Sequence, residues 1–245
     1  MSLYDWYAKA LSDNKQILQR ITNVLVADSA FSKKPFIDNM LGIGFNVVSR
    51  LRHDAALYYL WEGDPTGKPG RPRVKGEKID FKNIDKSKVA ILDTDESNGQ
   101  VYALKAWCKS LHRKISLVIH ILPKGGHRLY FSTDESMSGR DVMEYYCTRF
   151  QIEFCFRDAK QFVGLTDSQA RDTRKLDFAF NSSFTAVNVA KIMCSEYNLS
   201  IGRIKALIIN AYYAQRIIDV FENNPNTQLN HEIVNEIFGF AADAA

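Results

Sequence analysis

No apolar run in the 245 residues approaches the roughly 18 that a helix needs to cross a bilayer, so no membrane span is expected. The N-terminal stretch carries charged residues where a signal peptide needs an apolar core, and a secretory leader is not expected either. The four cysteines (Cys108, Cys147, Cys155, Cys194) stand far apart with no CxxC pair. That spacing suits reduced thiols in a cytoplasmic protein better than a zinc site or a disulfide scaffold. The five histidines show no HxxxH or HExxH spacing, and neither a P-loop nor a GxGxxG is present. Internal repeats and low-complexity tracts are missing as well. The expected class is a soluble, intracellular α/β chain.

Hydrophobic residues make up 46% and charged residues 24%, values that exclude a disordered or fibrous chain. The net charge of +4 is small, but it is unevenly spread. Lys68 to Lys88 holds eight basic and three acidic residues, so the excess sits in one segment. Glycine and proline punctuate that segment (Gly63, Pro65, Gly67, Pro69, Gly70, Pro72, Gly76), which predicts irregular structure.

Apolar spacing predicts a helix over residues 3–20, with Ser12–Asn14 as the place for a break, then a short buried strand from Ile21 to Ala27 that ends on Asp28. A helix follows over 34–41, broken by Gly42 and Gly44, and then a strand over 45–51. Beyond the basic segment, four strand-like runs (89–93, 101–108, 115–122 and 128–132) are separated in two places by Asn98-Gly99 and Gly125-Gly126, residues suited to hairpins. An antiparallel β insertion is expected there. The remainder reads as helices over 139–163, 176–197, 201–223 and 230–240.

The helix after Ser138 carries the chemistry. Ser138 can cap it, with Asp141 three residues on. At about 100° per residue, Met143, Cys147, Phe150 and Phe154 share one stripe, expected to face the core. Tyr146, Arg149, Glu153 and Lys160 share another, so one carboxylate is flanked by a phenol, a guanidinium and an ammonium. A solvated charged face with pairs such as Glu153–Arg157 fits this spacing too.

Tyr146-x2-Arg149-x3-Glu153-x6-Lys160 matches in full the YREK signature of DDE transposases of bacterial insertion sequences. The segment FSTDESMSGRDVMEYYCTRFQIEFCFRDAKQFVGLTDSQAR resembles that family from its last insertion strand through its catalytic helix. VLVADSAFSKKPF and NVVSRLRHDAAL resemble its second-aspartate region. The resemblance implies a ribonuclease H-like fold in which two aspartates and a glutamate hold two divalent ions, Mg²⁺ or Mn²⁺, for DNA cleavage and strand transfer. It makes Asp28 the second carboxylate and Glu153 the third. Asp28 also stands where α/β sheets place their sites, at the carboxyl end of a buried strand; a turn-capping role before Ser29 fits the same pattern. Tyr146, Arg149 and Lys160 are implied to contact transposon-end phosphates. Arg71, Arg73, Lys75 and Lys78 would grip DNA electrostatically, with a solvated charged loop as the other reading. Trp61 and Trp107 are expected to be packing residues, with base stacking as the alternative.

One expected element has no counterpart. The family's first aspartate precedes its first helix, and this sequence opens inside that helix, so an N-terminally truncated transposase core is expected. Asp93 or Asp95 in ILDTD could complete a triad by order alone, but they fall between predicted hairpin strands rather than on the central sheet. The expected domains are 1–58, the second half of the core; 59–134, the β insertion with its basic loop; and 135–245, the catalytic helix and C-terminal helices. A core without its opening strands would expose a sheet edge beside Asp28, favouring aggregation or strand pairing. Double-stranded DNA, as transposon end and target, is the expected partner, together with a second copy or a full-length transposase. A nucleoid-associated cytoplasmic location follows. The alternative function is an inactive remnant that only binds DNA or a full-length transposase.

Overall fold

A computed structural model of the chain describes residues 2–63, 72–93 and 99–223. The chain divides after Phe150 into two compact units. The first unit opens with helices α1 (Leu3–Asp13) and α2 (Lys15–Leu18), strand β1 (Val24–Val26), helix α3 (Lys34–Gly42) and strand β2 (Asn46–Leu51). Strands β3 (Leu57–Leu60), β4 (Lys75–Lys78), β5 (Ala90–Asp93), β6 (Gln100–Cys108), β7 (Arg113–Ile121) and β8 (His127–Ser132) follow, and then helix α4 (Gly139–Thr148). All eight strands lie in one mixed sheet of order β1-β2-β8-β7-β6-β3-β4, with β5 also paired to β6. Among the described residues only the β1–β2 pair is parallel, with Val26 opposite Val48. The strands expected as an insertion therefore extend the sheet that carries β1, through the antiparallel β2–β8 pair.

Residue alternation explains how one sheet holds two cores. Val47, Leu117, Ile119, Leu129 and Phe131 face α1 and α3, where Phe36, Ile37 and Met40 complete the larger cluster. Val48, Val118 and Tyr130 point the other way, onto Val142 and Tyr146 of α4. Central strands covered on both faces read as near-continuous apolar runs, which is why β2 and β7 stand out in the sequence. Full burial of a side chain such as Phe131 or Leu117 stabilises the unit by about 1.5–3 kcal/mol.

Two local expectations are corrected. Residues 75–78, expected to be irregular, form β4, because β3 offers an open ladder and Gly76 fits against it: a Cβ there would lie 3.1 Å from the Tyr59 and Leu60 carbonyl oxygens. The helix expected over 139–163 is two helices, α4 and α5 (Phe150–Phe162). At the end of α4, Thr148 Oγ1 donates to the Tyr145 carbonyl at 2.7 Å, a side-chain bond that competes with the helix ladder.

The described part of the second unit holds α5, α6 (Thr173–Tyr197) and α7 (Ile201–Asn223). Asp172 caps α6 through the Arg174 and Lys175 amides, and Asn198 ends it in the left-handed region. Ala159, Leu165 and Val187 form its small core, with Cys155, Val163 and Phe184 packed alongside. The buried Asp158 carboxylate pairs with Arg157 at 3.2 Å and Lys191 at 3.7 Å. The helix expected over 230–240 lies outside the described residues. All four cysteines are free thiols. Among the described residues no helix is long and apolar enough to cross a membrane.

Candidate functional site

Asp28 follows β1 directly, and its backbone is moored through the neighbouring strand. Ala27 donates its amide to the Val48 carbonyl at 3.0 Å, and the buried Ser49 hydroxyl donates to the Asp28 carbonyl at 3.1 Å. The carboxylate accepts the Ala30 amide at 3.1 Å and the Ser29 hydroxyl at 3.2 Å. So the capping role is real: Asp28 opens a single 3₁₀ turn, Ser29–Phe31. These bonds do not use it up. Half of the side chain stays exposed, and the Arg149 guanidinium lies 3.8 Å away. The Ala30 amide holds the Asp28 carboxyl below the usual carboxylate range; partial burial opposes this, and the Ser29 hydroxyl, Arg149 and Arg50 reinforce it. Asp28 is an ionised hard-oxygen donor at neutral pH.

Arg149 and Tyr146 reach this place through α4. Ser138 caps the helix by accepting the Asp141 amide at 3.1 Å and donates its hydroxyl to the Asp141 carboxylate at 2.7 Å. Gly139 lets the first turn sit against the sheet, since a Cβ there would come within 2.4 Å of the Ala103 side chain. That close approach selects the seam Gly139, Val142, Tyr146, and it reverses the expected stripes. Tyr146 is buried, its ring 4.9 Å from that of Tyr130, whereas Cys147, Phe150 and Phe154 are exposed. Arg149, one turn on, is largely buried, and its guanidinium lies over the rings of Phe150 at 4.7 Å and Tyr146 at 5.9 Å.

The first unit thus brings Asp28, Tyr146 and Arg149 together. Glu153 and Lys160 lie on α5 in the second unit, both exposed. Arg73, Lys75 and Lys78 lie at or on β4, at the far border of the sheet from β1, while Arg71 is outside the described residues. Asp93 ends β5 in an antiparallel pair, and Asp95 is outside the described residues. Sequence reasoning missed Arg50. It sits on β2 two residues past Val48, and strand alternation could have placed it on the α4 face beside Tyr130, its cross-strand partner.

A divalent ion can be tested against these residues. Asp28 fits as one ligand. Among the described residues, however, no group of three His, Cys, Asp or Glu side chains could hold a metal ion.

No curated protein matches the chain. A family model described as the transposase DDE domain matches residues 9–189, a span that includes Asp28 and the whole Tyr146–Lys160 motif. With most of its length inside that match, the chain belongs to the DDE transposase domain family.

Proposed function

We propose that this chain binds the DNA ends of a mobile element and serves their cleavage and joining to target DNA, with Asp28 and Glu153 as its acidic groups on a ribonuclease H-like core. The pairing of Arg149 with Asp28 at the end of the parallel border strand, which is half-buried rather than buried as its apolar run predicts, carries the reading. A motif arginine, otherwise one of many surface cations, is set beside the one strand-end acid that the same resemblance assigns to catalysis.

Asp28 stays ionised because a backbone amide and a hydroxyl bind its charged form. Arg149 offsets that charge and offers a planar fork for the phosphate of a bound strand. Tyr146, packed on Tyr130, fixes where the fork sits. Lys160 supplies a point charge, and Arg73, Lys75 and Lys78 grip the backbone away from the cut, with Arg71 in the same stretch of sequence. Bound Mg²⁺ or Mn²⁺ would supply an activated water or 3′-hydroxyl and stabilise the leaving oxygen.

A second reading has an observation of its own. With no three-ligand group among the described residues, the chain would bind DNA, or pair with a full-length transposase, without cutting. Nicking of a supercoiled plasmid bearing an element end, titrated with Mg²⁺ and then Mn²⁺, separates the two. Under the first reading nicking needs the ion and drops by ~10²-fold or more in Asp28→Asn and Glu153→Gln, with DNA binding kept. DNA binding without nicking in either ion establishes the second. Unchanged nicking by Glu153→Gln removes Glu153 from the site.

A further inference from the structure

Helix α7 is apolar on every side. At about 100° per residue, Ile204, Leu207, Ile208, Ile209, Ile217 and Ile218 go right round it, yet of its 23 residues only Ile204 is buried. Leu207, Ile208 and Ile218 are about half exposed, and on α6 Val189 and Ile192 are at least as open. A helix apolar all round belongs inside a protein, and a continuous apolar surface marks a place that another element covers. The surface is also shaped. Between α5, α6 and the start of α7 lies a groove of about 330 Å³, walled by Phe162, Val189, Ala190, Met193, Ile204 and Ile208. Gly202 lets α7 approach α5 there, since a Cβ would lie 3.3 Å from the Phe162 ring. Among the described lining residues Lys205 alone is charged.

After Asn223, the end of α7, the sequence continues for 22 residues, whose length, pattern and charge all match the groove. Asn224-Pro225-Asn226 is a turn signal placed directly after the helix. Helix α7 rises about 27 Å from Lys205 to Asn223. A link over 224–229 spans up to about 20 Å, and a helix over 230–240 adds about 16 Å, so the chain can return along α7 as far as the cavity. In such a helix Leu229, Ile233, Ile237 and Phe240 share one stripe, with Val234 and Phe238 beside it. Glu232, Glu236 and Asp243 border that stripe, and the 22 residues hold no lysine or arginine.

We infer that the groove is the docking site of the chain's own residues 229–240, laid as a helix antiparallel to α7. The tail brings carboxylates to a face whose charge is Lys205, whereas a second copy seated groove to groove brings another Lys205 to the contact. The second unit then closes on itself, and this face is occupied within one molecule. The inference is independent of the DNA reading above.

The test uses the full chain. With isoleucine methyls labelled for NMR, nuclear Overhauser contacts should join Ile233 or Ile237 to Ile204 or Ile208. They should persist on dilution and be missing from a filtered spectrum of mixed labelled and unlabelled chains. Contacts seen only between different molecules put a second copy in the groove and overturn the assignment; no contact overturns it as well. Amide exchange gives the second readout. Ile237→Asp should speed exchange over Val189–Met193 of α6 by about tenfold or more, as a buried isoleucine leaves its contact. Ile208→Asp should do the same, and the double variant should go no further than either alone. Additive effects overturn the docking. Should Ile208→Asp fail to fold, Ile237→Asp carries the test alone, and exchange over Val189–Met193 like that of the unmodified chain overturns it.

Discussion

The two units place their apolar side chains differently. In the first, a sheet sandwiched between helices hides Leu117, Ile119, Phe131 and Val118 completely. In the second, Phe178, Ile192, Tyr197, Leu207 and Tyr212 are all about half exposed or more, while few side chains, among them Ala159, Leu165 and Val187, are buried. A residue on a central strand is held by neighbours on both faces and on both flanking strands. A residue on a long helix of the second unit is held along one stripe at most. Position in the first unit is therefore fixed by packing, and in the second by helix propensity, caps and the Asp158 ion pairs.

The sharpest way to break that contrast is a matched pair of truncations. Leu117→Ala should cost about 2–5 kcal/mol by urea unfolding, whereas Leu207→Ala should stay within about 0.5 kcal/mol. Similar losses at both sites would remove the distinction. Next comes Asp158→Asn, which leaves the hydrogen-bonding shape and deletes the charge between Arg157 and Lys191. A loss of about 1–2 kcal/mol, reduced by added salt, would show that ion pairing supports the second unit. A smaller effect is expected at Ser138→Ala, about 1 kcal/mol, read as an earlier melting midpoint with the α4 seam kept.

The smallest effect is in pH. Asp28 and Asp134 both have carboxyl groups held below the usual carboxylate range, Asp28 chiefly by the Ala30 amide and Asp134 chiefly by the Ser136 hydroxyl. A depressed folded-state value means that their contribution is fully present above the unfolded value and is lost as the pH falls through the lowered one. The melting midpoint should decline below about pH 4, and less steeply in Asp134→Asn. An identical decline in that variant would show that other carboxylates control acid unfolding.

What could be read from the sequence follows from the same contrast. The strand ending on Asp28, the β2 run and the Ser138 cap were legible because each depends on a few adjacent residues. The four motif positions were legible as a helical spacing, but their surroundings were not. Periodicity placed Phe150 and Phe154 in the core because they are apolar, whereas the sheet selected Gly139, Val142 and Tyr146 because a glycine allows close approach and Tyr130 offers a ring. Strand β4 was hidden by its own lysines, since a border strand needs a ladder partner more than an apolar face. Alternation along β2 could put Arg50 on the face of Val48, but its partner Tyr130 depends on cross-strand register, which joins residues far apart in sequence.

Among the described residues β1 is three residues long and stands last in the sheet, so Asp28 hangs from a border post tied to a single neighbour. The knot is the Ser49 hydroxyl, which shares its bonding between the Asp28 carbonyl and Ser32. The acid's steadiness is thereby delegated to a small neutral side chain that never meets a substrate. Untying it should first show as quicker amide exchange at Ala27 and Ala30, with the carboxylate's own chemistry untouched.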